Sequence, residues 1–268
     1  MISQNPLRAV AVMAFISALS PAIVSSAEPT GSVSDEDLLM ARNPIIIKSR
    51  VRVANEFTDV GGGGHRDKII LSGGYGFGFN GRDKNFGIGI ELPILYNEPE
   101  NGSSDWGLGD FKLRLGQILR EDPDGLRAGW FMDTEFDTSD DAVRAIANQR
   151  TQMAFGAGLS YPMLENLVLS TSLQYGWSLE NGETSGRKSE WEAHLTLSAK
   201  VTDRLSLNLD YKGVLNTVGG ETLINTLEPG FGYTLGTEKN IGIFASCELP
   251  LDETGVNWVA KTGIIWFF

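Results

Sequence analysis

Charged side chains stand at every second position in three stretches of this chain: Lys48, Arg50 and Arg52; Lys112 and Arg114; Asp133, Glu135 and Asp137. Alternate residues of an extended chain share a face, so each stretch lays like charges along one side of a strand. Rows of this kind do electrostatic work: they attract, orient and sort ions and polar solutes. Glu91, Asp110, Glu192, His194 and Lys261 hold the same polar face of their own alternating stretches and join the candidate set. If the turn near Pro123 and Asp124 is centred between them, Arg114 falls opposite Asp133 and Lys112 opposite Glu135 as cross-strand neighbours. Two expectations stand side by side. One is a salt-bridge network that pins a wall. The other is a transverse field, basic on the side of Lys48, Arg50, Arg52 and Lys261 and acidic on the side of Asp133, Glu135 and Asp137.

Covalent chemistry finds less support. A hydrolase needs a serine beside a histidine. Ser170, Ser172, Glu192 and His194 all lie on polar faces, and the apolar faces carry no such pair. His65 sits in a glycine loop with only Asp59 and Asp67 near it, so no metal site is expected. The run Gly73 to Gly78 lacks the strand–loop–helix setting and the lysine of a phosphate loop. Cys247 is the only cysteine, which rules out an intrachain disulfide and two-cysteine motifs. No cofactor is expected. A net charge of -12 argues against nucleic acid.

The elements that must carry these charges are strands. From Asn43 onward, twelve stretches of about ten residues alternate apolar and polar side chains. The last is the clearest. Trp258, Ala260, Thr262, Ile264, Trp266 and Phe268 share an apolar face, and the chain stops there. A hydrophobic terminal strand left unpaired invites aggregation, and closure onto the first strand removes that edge. Tight turns, such as Pro162 to Asn166 and Thr202 to Arg204, alternate with mostly longer polar links, such as Thr138 to Gln149 and Glu180 to Ser189. The expected fold is therefore an all-β, twelve-stranded antiparallel transmembrane β-barrel, an up-and-down meander over residues 44–268. Lumen residues are then Lys48, Arg50, Arg52, Glu91, Asp110, Lys112, Arg114, Asp133, Glu135, Asp137, Glu192, His194 and Lys261. Inward glycines at 74, 76, 78, 87 and 89 leave room for a bulky occupant or allow strong curvature.

At the other end, Arg8 is the only charge in the first 27 residues, and an apolar run leads to Ser25-Ser26-Ala27. This pattern predicts a signal peptide over 1–27 and export. Residues 28–43 read as a loose periplasmic lead, with a short helix entering the barrel as the alternative.

The segment Trp106-Gly107-Leu108-Gly109-Asp110-Phe111, with Leu92-Pro93-Ile94 before it and Gly129 to Thr138 after it, resembles the G-x-G-D-hydrophobic signature of a transporter family. That family of outer-membrane barrels is named after the meta-cleavage pathway of phenol degradation. Glu135-Phe136-Asp137-Thr138-Ser139 departs from the family's L-P-T-G. The resemblance implies a barrel in a bacterial outer membrane that transports small aromatic or apolar compounds, and passive diffusion is expected because no energy-coupling box or large N-terminal plug domain is evident. The terminal Ile264, Trp266 and Phe268 also resemble the signal such barrels present to the barrel-assembly machinery. Expected partners are outer-membrane lipid, lipopolysaccharide, that machinery and small solutes. A closed structural or adhesive barrel and a barrel hydrolase are the alternatives.

Overall fold

The computed structural model describes residues 49–61, 64–79, 82–98, 104–123, 125–143, 151–179, 189–217, 222–235, 240–252 and 255–268. The predicted signal peptide, the lead over 28–43 and Lys48 lie outside them. The strands are β1 (Arg50–Val60), β2 (Gly64–Phe79), β3 (Arg82–Glu98), β4 (Asp105–Leu108), β5 (Phe111–Glu121), β6 (Arg127–Phe136) and β7 (Gln152–Leu164). They continue as β8 (Leu167–Ser178), β9 (Ser189–Lys200), β10 (Leu205–Asn216), β11 (Thr222–Leu235), β12 (Ile241–Pro250) and β13 (Val256–Phe267). Each pairs antiparallel with its chain neighbours, apart from β4 and β5. Those two pair in turn with β3, so they are two halves of one strand. The sheet closes where β1 meets β13, from Arg50 opposite Phe267 to Asp59 opposite Trp258. The result is a closed twelve-stranded antiparallel barrel whose fourth strand is broken.

The break falls at Gly109-Asp110, inside the G-x-G-D segment. Gly109 N–H donates to the Pro93 carbonyl at 2.8 Å. A Cβ on Gly109 would stand 2.9 Å from the Pro93 ring and 3.0 Å from Leu95, so only glycine fits. The chain then turns Asp110 away from the strand. Its carboxylate accepts the N–H groups of Thr138 and Ser139, each at 3.0 Å. Leu108 N–H donates to the Asp140 carboxylate at 2.7 Å, and Phe111 N–H to the Thr138 hydroxyl at 2.9 Å. The signature is thus a latch that ties the fourth strand to the segment after β6, just before a short 3-10 turn at Asp141–Val143. Asp110 is buried at 3 % exposure, and its carboxylate is taken up by the Thr138 and Ser139 amides. Replacing it, as in Asp110→Ala, orphans two amides and is expected to cost about 2 kcal/mol. The measurement is protease cleavage between 137 and 143, which should become faster than in the parent while the barrel itself survives.

The burial pattern is the inverse of a water-soluble protein. Ile69, Leu71, Ile90, Leu173, Leu195, Phe231 and Ile264 are exposed on the outer wall, while Ser170, Thr196, Asp210, Glu228 and Lys261 are buried inside. Outward aromatic rings gather towards the strand ends. Phe57, Trp258, His65 and Tyr96 pack near one rim, and Tyr75, Phe77, Phe86, Trp266 and Phe268 near the other. An apolar band between aromatic girdles is the surface a bilayer requires.

Two turns show how sequence sets register. Gly125 adopts a φ of 86° at the β5–β6 turn, where L side chains are strained. At the β9–β10 turn the Thr202 hydroxyl accepts the N–H groups of Arg204 and Leu205 at 3.2 and 3.0 Å. The β7–β8 turn is tighter than Pro162 to Asn166, because β7 continues to Leu164 and only Glu165 and Asn166 turn.

Candidate functional site: a charged lumen

Inward residues from the wall enclose a cavity of about 600 Å³. Of the predicted lumen residues, Arg50, Arg52, Glu91, Lys112, Arg114, Asp133, Glu135, Glu192, His194 and Lys261 line it. Asp137 lies one residue past the end of β6 and outside that lining.

The register places Arg114 opposite Asp133 and Lys112 opposite Glu135. Arg114 grips Asp133 with two parallel bonds, Nε to Oδ1 at 2.6 Å and Nη2 to Oδ2. Lys112 Nζ lies 3.0 Å from Glu135. The acids of β6 are therefore paired with the bases of β5. They do not form the acidic side of a field.

The acidic side lies across the lumen, on β9 to β12. Glu192, Asp210, Glu228 and Glu248 form a band with His194, Lys212 and Lys261 set into it. His194 Nε2 meets Glu192 at 2.6 Å and Nδ1 meets Asp210 at 3.1 Å. Thr196 donates to the other Asp210 oxygen at 2.6 Å. Lys261 Nζ donates to Glu228 at 2.7 Å and to Glu248 at 2.5 Å, and Ser246 donates to Glu228 at 2.7 Å. Lys261 thus belongs to the acidic band rather than to the basic wall of β1, which corrects the expected charge map. Both ring nitrogens of His194 meet carboxylates, so neither addresses Ser172, its cross-strand partner. Asp210, Glu228 and Glu248 stand at inward parity in their strands, but parity gives no sign that a lysine on a different strand gathers two of them.

The basic side is β1 with β5. One row of the sheet runs Arg50, Gly74, Gly89, Arg114 across four neighbouring strands. Arg50, Arg52 and Arg114 all line the cavity, with Glu91 of β3 set among them opposite Lys112.

Sequence reasoning passed over an inward apolar layer. Ala54, Ile70, Phe244 and Ile265 pack as a cluster on the inner wall, with Phe267 against it. Phe131 is buried on the inner face of β6. Each ring is seated by a glycine. A Cβ on Gly263 would stand 2.6 Å from the Phe244 ring, and one on Gly156 only 2.4 Å from Phe131. Two arginines stack on these rings: Arg52 lies 4.8 Å from the Phe244 centroid and Arg114 5.9 Å from that of Phe131. The available signal was an apolar residue at inward parity.

Three comparisons bear on this architecture. A family model described as "Putative MetA-pathway of phenol degradation" matches residues 59–267. No curated protein matches the sequence. Among solved structures, the COG4313 outer membrane channel from Pseudomonas putida F1 superposes with a TM-score of 0.68 at 12% identity, covering 85% of this chain and 98% of that one. The NanC porin gives 0.59 at 9% identity, over 81% and 100% of the two chains. The KdgM porin, in complex with disordered oligogalacturonate, gives 0.52 at 10% identity, over 82% and 99%. At these identities the likeness establishes the outer-membrane barrel fold.

Proposed function

We propose a channel function on the premise that this chain belongs to the phenol-degradation family whose model spans it. The protein sits in a bacterial outer membrane and passes small solutes, aromatic and apolar compounds among them, by diffusion down their gradients. One observation carries this reading: a closed barrel with an apolar outer wall encloses a charged cavity of about 600 Å³, within the size range of small-molecule sites. Its two charged sides set selectivity, Arg50 and Arg52 facing Glu192, Glu228 and Glu248, all of which line it. Such a field orients a polar solute as it crosses and discriminates by charge. The lumen works without covalent chemistry, since His194 is committed to Glu192 and Asp210.

Placement in the membrane follows from the outer wall. The exposed Ile264, Trp266 and Phe268 meet lipid and serve as the signal to the barrel-assembly machinery. Cleavage after Ala27 delivers the chain to the periplasm. The rim where Asp59 meets Trp258 faces lipopolysaccharide.

A sealed structural barrel is the second reading. Ser160, Ser170, Thr196, Ser198, Ser206 and Asn208 are buried inside β7 to β10 and narrow that side of the lumen. Swelling of liposomes that hold the refolded protein separates the two. Small solutes should enter proteoliposomes faster than protein-free vesicles, and equal rates favour the sealed barrel.

A further inference from the structure

We infer that the basic side of the lumen is a binding site for a small carboxylate with an apolar body, held by Arg50, Arg52 and Arg114. The inference rests on the channel reading for the route to the site, but not for the binding itself. Among the described residues Arg50 makes no ion pair, and it lines the cavity together with two further arginines, Arg52 and Arg114. A cation held in a confined lumen among like charges is costly until an anion joins it. The guanidinium matches a carboxylate with paired N–H donors, a geometry already seen here between Arg114 and Asp133.

The site is ordered before any ligand arrives. Phe244 and Phe131 lie beneath Arg52 and Arg114, and each ring is fixed over a glycine that cannot be enlarged without displacing it. Guanidinium planes held this way lose little freedom when they bind. Between Arg50 and Arg114 the wall carries no side chain, because Gly74 and Gly89 occupy the two intervening positions of that row. Neighbouring strands stand about 4.8 Å apart, so this gap accepts a flat group between the two arginines.

The apolar half of the ligand is read from the same wall. Ile70, Phe244 and Ile265 line the cavity together with Arg50 and Arg52. Arg52 stands directly opposite Ile265 on β13. A bare inorganic anion would leave this layer unused. A neutral apolar compound would leave the arginines without an anion. A carboxylate on an aromatic or branched apolar body satisfies both.

The test is calorimetric titration of the folded, detergent-solubilised protein with benzoate, benzamide, acetate and chloride as probes, beside conductance of the same preparation. Benzoate should bind at least tenfold more tightly than acetate or chloride, and at least tenfold more tightly than its neutral analogue benzamide. Arg50→Met, which removes a charge with no ion-pair partner among the described residues, should weaken benzoate at least tenfold. It should leave heat-modifiable gel mobility, the sign of a folded barrel, unchanged. Should Arg50→Met not fold, Gly89→Ala takes its place, since its Cβ makes only ordinary contacts of 3.6 and 3.7 Å yet enters the gap and should weaken benzoate. Equal affinity for benzoate and chloride overturns the apolar half of the site. Equal affinity for benzoate and benzamide overturns the arginine half. Benzoate binding without current upholds the site and counts against the channel, whereas current without benzoate binding does the reverse.

Discussion

Replacing Lys261 by methionine should cost about 3 kcal/mol of stability, the expected penalty for removing one partner of a buried ion pair. The Lys261 side chain is only 6% exposed, and its two partners Glu228 and Glu248 are 9% and 16% exposed. Without the ammonium the two carboxylates face each other, and Asp210 stands directly across from Glu228. Methionine keeps the length and loses the charge, so the effect reports electrostatics and not a cavity. Urea unfolding in lipid or detergent, followed by gel mobility, measures it. Adding Glu228→Gln should recover part of the loss by removing one orphaned charge. A Lys261→Met protein as stable as the parent would show that Glu228 and Glu248 do not depend on that lysine.

Arg50→Glu combined with Arg52→Glu should shift ion selectivity towards cations by about tenfold, a change of about 1.4 kcal/mol in relative permeability. The two positions share the inner face of β1 and line the cavity. Reversing both changes the basic side by four charge units, so it joins the acidic band instead of opposing it. The reversal potential under a salt gradient reads the result. Arg52 also stacks on Phe244, so gel mobility must first show that the variant folds. An unchanged reversal potential in a folded variant would remove the transverse field from the description of selectivity.

The barrel was legible in the sequence because its rules are local. Alternation marks each strand, and the terminal strand's apolar face announces closure onto β1. The Arg114–Asp133 and Lys112–Glu135 pairs followed from a single turn position, since neighbouring strands fix each other's register. What depended on distant contacts was hidden. The fourth strand breaks at Gly109-Asp110 because Pro93 crowds the glycine and the amides of Thr138 and Ser139 claim the aspartate, and neither is near in sequence. Lys261 belongs to the acidic band because a long side chain reaches Glu228, two strands away in the wall. Parity alone assigns a face; it does not assign a partner across a lumen. The buried seats of Phe131 and Phe244 needed both parity and register, which together align each ring with its glycine.

The pattern that emerges is a lumen whose charges serve structure and function. The β5–β6 pairs and the Lys261 cluster hold walls together, and Arg114 of those pairs also lines the cavity beside Arg50 and Arg52. A channel needs walls that do not collapse and charges that solutes can reach, and Arg114 serves both needs.

The most direct measurement is single-channel conductance of the refolded chain without residues 1–27 in a planar bilayer. Discrete current steps, altered by the Arg50→Glu and Arg52→Glu pair, are the expected result. A folded barrel that passes no current at any voltage would contradict an open lumen.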